Sequence, residues 1–250
     1  MNSSILVIRN ILLGTMVIFL LGGCSLYDKY FGGKEDKRPS ELMREGLKNF
    51  ERANYEEATE AFQKLKDRYP YSKYAIMAEL KMADALYEKD EFEEAYTAYD
   101  DFEKLHPKNE SIPYVIYQKG MCNFRQVTAI DRDQSFTLKA KEEFDRLVKR
   151  FPSSEYANRA RKNMRQCFIY LAEYELYVGH FYYKMGKYRT AMNRFKYLIQ
   201  NYPDMGQYHE ALEYISRCKE KLKKEQLPVE EVEKEEKKEK KSGAPKMWTF

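Results

Sequence analysis

Four cysteines and three histidines are the side chains in this sequence with the most chemistry to offer. A thiol can attack an electrophile, bind a metal or form a disulfide, and an imidazole can move protons or hold a metal. Their spacing supports little of this. Cys122, Cys167 and Cys218 are an odd number with no CxxC pair, which argues against a disulfide framework or a zinc site. Each lies in a helical pattern, so reduced thiols packed as small apolar groups are expected. His106 occupies a position that Tyr or Phe fills elsewhere in the chain and so reads as packing. His180 follows Gly179 in a tyrosine-rich helix, and His209 stands alone. No HExxH, GxSxG, phosphate-loop or DxDxDG motif occurs. The many carboxylates are spaced as on solvated helix faces. Catalysis, a metal and a cofactor are all unexpected.

Cys24 differs from the other three. It follows an apolar run of about eleven residues, Ile11 to Leu21. That is too short for a membrane-spanning helix, which needs roughly 20. Arg9, the apolar run and then small residues describe a secretory signal peptide over residues 1–23. Leu21-Gly22-Gly23-Cys24 resembles the lipobox of bacterial lipoproteins. The resemblance implies cleavage before Cys24, a lipid on its sulfur and an acylated new amino terminus. Three acyl chains are a sufficient anchor, because one chain binds marginally, at about 0.8 kcal/mol per buried CH2, and two hold stably. Ser25 stands where aspartate is the usual inner-membrane retention signal, which by the same resemblance favours the outer membrane. Residues 24–39, with Gly32-Gly33 and Pro39, read as a lipidated tether.

The framework beyond the tether is a repeat. Aligned on Pro70, Pro107, Pro152 and Pro203, four segments share an alanine twelve residues earlier (Ala58, Ala95, Ala140, Ala191). They share an aromatic eight residues earlier (Phe62, Tyr99, Phe144, Phe195), and Leu65, Phe102, Leu147 or Leu198 five earlier. The residue before each proline is Tyr69, His106, Phe151 or Tyr202. Columns three or four apart share a helix face, so these are core positions. A small residue twelve positions before three of the alanines (Gly46, Ala83, Gly179) lets a preceding helix approach closely.

The pattern predicts helices from Ser40, from Tyr55 to Tyr69, from Ser72 to Glu88, from Phe92 to His106, from Ile112 to about Val127 and from Ser135 to Phe151. It then predicts one long helix or two broken ones over 154–185, Tyr188 to Tyr202, and about Gln207 to Lys224. Ser40 and Ser72 are the expected caps, and Ile76, Leu80, Ala83 and Tyr87 the expected inner face of the third helix. Such two-helix units resemble tetratricopeptide repeats, although the consensus tryptophan is missing. The expected architecture is all-α, a tetratricopeptide-repeat superhelix of about five helix pairs, or roughly ten helices, over residues 40–224. Residues 225–250 form a charged Glu/Lys tail with an aromatic tip, Met247-Trp248-Thr249-Phe250, which is either a docking element or an inert end.

Charge sets further bounds. Charged residues make up 34% of the chain and aromatics 15%, including 22 tyrosines. This suits a packed helical domain with a solvated surface and not disorder. The net charge of +4 is the small difference between 44 basic and 40 acidic residues, interleaved along the chain. A nucleic-acid surface would gather basic charge on one face, so nucleic acid is not an expected partner.

Stacked helix pairs curve around a groove that takes extended or helical peptides. In tetratricopeptide proteins the first helix of each pair lines it. The corresponding positions here include Asp84, Tyr87, Tyr114, Tyr117, Phe124 and Arg125, an aromatic lining with a few charges. Beyond the repeat, the segments RYPYSKY (Arg68–Tyr74), IPYVIYQKG (Ile112–Gly120), LVKRFPSSEYANRA (Leu147–Ala160) and LAEYELYVGHFYYKMGKYRTAMNRF (Leu171–Phe195) resemble the BamD family. These are lipoprotein subunits of the β-barrel assembly machine of the Gram-negative outer membrane. The resemblance implies a periplasmic-face scaffold that works with a BamA-type barrel subunit and other assembly-machine lipoproteins. It implies client contacts, with unfolded outer-membrane proteins, at the aromatic groove together with Tyr71 and Tyr74. It implies partner contacts on Tyr188–Tyr202, with Asn193 and Arg194 as the polar candidates. The same scaffold would also serve cell-envelope coordination or pilus assembly.

Overall fold

The computed structural model describes residues 37–203 and 205–226. Among them are nine α-helices and no strand: α1 (Pro39–Glu51), α2 (Tyr55–Arg68), α3 (Ala75–Glu88), α4 (Phe92–Leu105), α5 (Ile112–Phe124), α6 (Ser135–Arg150), α7 (Glu155–Lys184), α8 (Tyr188–Asn201) and α9 (Tyr208–Gln226). Each helix packs on the next in sequence, and α5 also touches α7. The fold is the expected all-α repeat. The expected signal peptide, Cys24, most of the expected tether and nearly all of the charged tail lie outside the described residues.

The prolines stop the helices as the repeat columns require. Tyr69, His106, Phe151 and Tyr202 have φ of −134°, −125°, −134° and −135°, outside the helical region because a proline follows each. Each still closes the last turn by donating its N–H to the leucine or phenylalanine carbonyl four residues back. The turns from first to second helix use a left-handed residue at one equivalent position: Ala53 (φ 59°), Asp90 (φ 62°) and Gly186 (φ 74°). Only the glycine adopts this without strain. The third copy lacks it, because residues 125–134 make a longer connection.

Helix starts differ from expectation. α1 begins at Pro39, which the first turn tolerates, and the Glu41 carboxylate accepts the Arg38 N–H at 3.0 Å. Ser40 is therefore inside the helix and is not its cap. Ser72 organises the turn before α3 by accepting the Tyr74 N–H at 3.2 Å, and the helix starts at Ala75. Ile76 points outward, while Leu80 and Ala83 are buried. α5 ends at Phe124, short of Val127. Ser154 does cap α7, accepting the Tyr156 N–H at 3.2 Å.

Three buried clusters run along the stack. The first joins α1, α2 and α3 through Leu42, Phe62, Leu65 and Ala78. The second spans α3 to α7, with Tyr99, Phe102, Ile116, Phe144 and Cys167. The third holds α7, α8 and α9 through Leu171, Phe195, Leu198 and Ile215. The segment 154–185 is one unbroken helix of 30 residues. Its first half completes the second cluster and its second half starts the third, so α7 is the beam joining the two. All four alanines and all four aromatics of the repeat columns are fully buried.

Candidate interaction surfaces

The expected groove residues fall into two groups. Asp84, Tyr114, Tyr117 and Phe124 are engaged between helices. Asp84 is buried, and its Oδ1 accepts the hydroxyls of Tyr99 and Tyr114, both at 2.7 Å, while Lys81 pairs with Oδ2 at 2.9 Å. Burial, together with the Asp84 charge, pushes the Tyr99 and Tyr114 phenols well above their ordinary range. Tyr114 stacks edge-on against Tyr99 and Tyr156. Tyr117 lies between Phe144 and Tyr156, and its hydroxyl accepts from Asn163 at 3.3 Å. Phe124 contacts Phe144 and Tyr170. α5 thus presents half-buried aromatic edges in a row shared with α7.

The second group is more open. Tyr71 is fully exposed, and Arg125 is exposed over Phe92, 3.2 Å from Asp90. Tyr87 packs edge-on against that same Phe92, and burial raises its phenol to about 12. Tyr74 borders a shallow groove of about 450 Å³ lined by Met43, Arg44, Leu47 and Lys48. Ile76 and Met77, two exposed apolar residues, follow Tyr74 in the first turn of α3. The structure therefore separates Tyr71 and Tyr74, beside the first core, from the α5 row.

On α8, Asn193 is exposed and Arg194 half-buried. Arg189 and Lys196 are exposed nearby, as is Tyr197 at 46%. The sequence of α8, YRTAMNRFKYLIQN, contains no Asp or Glu, whereas α2, α4 and α6, the helices at its position in the other repeats, carry at least three each. Arg194 Nη1 lies 3.4 and 3.3 Å from the two carboxylate oxygens of Glu175, a buried residue of α7. Burial raises the Glu175 carboxyl above its ordinary range, and Arg194 opposes that shift.

One charged cluster escaped the sequence reading. Lys119 is buried at 3% exposure, 2.5 Å from Asp100, 3.3 Å from Glu103 and 3.6 Å from Glu143. Arg146 grips Glu103 with two nitrogens at 2.6 and 2.9 Å. Burial pushes the Glu103 carboxyl up, but Arg146 and Lys119 more than offset this and hold it low. The signal was a lone lysine, the single charge in the otherwise apolar or neutral α5. A charge so placed must be buried with partners, because an unpaired one is prohibitive there.

Among the described residues no helix is long and apolar enough to cross a membrane, and no cluster of metal-binding side chains occurs. Cys122, Cys167 and Cys218 are free and buried, and burial raises the first two thiols to about 12.

A family model described as outer membrane lipoprotein, YfiO, matches residues 35–235. The outer membrane protein assembly factor BamD of Neisseria gonorrhoeae is 29% identical over 235 residues, covering 89% of this chain and 88% of the relative. The protein of the same name from Rickettsia prowazekii is 30% identical over 188 residues, covering 73% of this chain and 72% of the relative. Among solved structures, the TPR2AB-domain:pHSP90 complex of yeast Sti1 superposes with a TM-score of 0.42 at 16% identity, covering 74% of this chain and 70% of that one.

Proposed function

The chain belongs to the YfiO family of outer membrane lipoproteins, and from that premise we propose that it is a non-catalytic scaffold that takes part in assembling and inserting β-barrel proteins into the outer membrane. Relatives carrying the name outer membrane protein assembly factor, matched over most of their length, support this reading. Cys24 carries the lipid anchor, and the helical domain lies on the periplasmic face. Its partners are a BamA-type barrel subunit, other lipoproteins of the machine and unfolded barrel clients.

The observation that carries the partner assignment is the carboxylate-free face of α8. Arg189, Arg194 and Lys196 beside Asn193 and Tyr197 suit a partner surface rich in carboxylates, with tyrosine as the apolar anchor. Client segments, aromatic-rich and extended, take the open N-terminal surface of Tyr71, Tyr74, Ile76 and Met77 and follow the aromatic edges of Tyr87, Tyr114, Tyr117 and Phe124, with Arg125 as the flanking charge. In this assignment Asp84 fixes the tyrosines from beneath.

The test is co-purification. A tagged full-length chain, expressed in its own cell and recovered from detergent-solubilised membranes, should bring down a BamA-type barrel protein. Recovery of pilus or division proteins with no barrel subunit would overturn the proposal and favour envelope coordination or pilus assembly.

A further inference from the structure

Glu175 is a buried carboxylate of α7. The position lies four residues before Gly179 and so corresponds to Leu42 before Gly46 and Ile116 before Gly120, which are both buried and apolar, and to Glu79 before Ala83, which pairs with His106 Nε2 at 2.7 Å. A carboxylate at this position is held by a partner of its own, because burying one is costly without a partner. The partner of Glu175 is Arg194, which donates to it through Nη1 alone. Among the described residues Nη2 and Nε of Arg194 have no hydrogen-bond partner, and 43% of the side chain is exposed. A guanidinium is a planar fork with donors on more than one edge. Held at one nitrogen, it can still offer a complete edge to a second carboxylate.

The geometry points to Glu175 as a positioning residue that holds Arg194 from beneath and turns the free edge of its guanidinium outward to a carboxylate of the docking partner. This rests on the proposal that α8 is the docking face. Arg194 is then one bridge between two carboxylates, an inner one fixed by the core of α7 and an outer one supplied by the partner. The contacts to Glu175 are longer than the 2.7–2.9 Å usual for charge-assisted bonds, so the guanidinium can adjust when the second carboxylate arrives.

A double-mutant cycle tests this, using the full chain in detergent and the periplasmic region of the barrel subunit as the probe. Glu175→Gln should weaken binding by on the order of tenfold with the melting temperature retained. It should cost nothing further in an Arg194→Ala background. Loss that adds to that of Arg194→Ala, or unchanged binding by Glu175→Gln, would overturn the positioning role while leaving α8 as the docking face. Unchanged binding by Arg194→Ala would overturn the docking assignment, and this inference with it. If Glu175→Gln does not fold, Arg194→Lys decides. An ammonium keeps the charge but offers no fork, so binding should fall nearly as far as with alanine. Binding at the wild-type level would show that charge alone suffices and would sink the proposal.

Discussion

Gly179 of α7 and Phe195 of α8 sit so close that a β-carbon on the glycine would lie within 3.0 Å of three ring carbons. Gly46 against Phe62 repeats the relationship, and Gly120 against Phe144 repeats it with two ring carbons. The second repeat places Ala83 opposite Tyr99, so there the helices already accommodate a methyl. The glycine sets how near the two helices of a pair can come, and the ring fills the space that nearness leaves.

Gly179→Ala sets two effects against each other. Alanine favours the helix by about 1 kcal/mol, but forcing a carbon into a packed ring costs about 1–3 kcal/mol. The ring of Phe195 is fully buried and has nowhere to retreat, so overpacking wins. A net loss of roughly 1 kcal/mol should appear as a lower urea midpoint, and Gly179→Ala with Phe195→Leu should recover part of it. A rise in midpoint for Gly179→Ala alone would contradict this packing.

The Lys119 cluster separates buried from exposed charge in one experiment. Lys119→Met removes the cation shared by Asp100, Glu103 and Glu143 and leaves the carboxylates to repel. The expected loss is about 3–5 kcal/mol, the range for breaking a buried pair from one side. Arg150, whose side chain is 43% exposed, also reaches Glu103, at 3.0 Å. Arg150→Ala should change stability by less than about 1 kcal/mol. Chemical denaturation of both variants measures the contrast, and equal effects would refute it.

These residues also mark what sequence pattern reveals and what it hides. The alanine and aromatic columns and the prolines were legible because each local segment repeats the same demand: one buried face and a fixed stop. Gly120 was hidden because the longer connection at 125–134 moves it out of step with its alanine. The unbroken α7 could not be decided from pattern, because a break near Tyr170 to Glu173 would carry no proline or glycine to mark it, and the helix is kept whole by the two clusters it joins. The aromatic row of α5 was half legible. Helical spacing identifies which face Tyr114 and Tyr117 share, but the ring that covers them, Tyr156, arrives from another helix far along the chain. The same limit applied to Arg194, whose counter-charge on α7 no local spacing announces.

Asp84 and Tyr71 should behave as opposites although both were assigned to the groove. Asp84→Ala strips the acceptor from one buried and one half-buried hydroxyl and should cost roughly 2–3 kcal/mol. Tyr71 is fully exposed, so Tyr71→Ala should shift stability by no more than about 0.5 kcal/mol. Tyr71→Ala should nonetheless weaken binding of a labelled peptide ending in an aromatic residue, read by fluorescence anisotropy. Unchanged affinity would remove Tyr71 from the client surface, with no folding defect to blame.

His180 gives the C-terminal packing a pH dependence. Its ring lies 4.3 Å from the Tyr214 ring and 5.6 Å from Phe195, and Nε2 is buried without a hydrogen bond, 3.3 Å from Glu210. Burial lowers its proton affinity, and Lys184 and Arg217 lower it further, while Glu210 opposes them. A depressed histidine contributes stability that is present above the unfolded value, about 6.5, and is lost as pH falls through the lower folded one. Cooling the charge out of the site is possible by substitution: His180→Phe keeps an aromatic ring against Tyr214 and cannot be protonated. Between about pH 7.5 and about pH 5.5, on either side of that reference, the wild-type melting temperature should fall more than that of His180→Phe. A wild-type chain that instead gains stability on acidification would mean that Glu210 dominates, and that α7 and α9 are clamped by an ion pair and not by stacked rings.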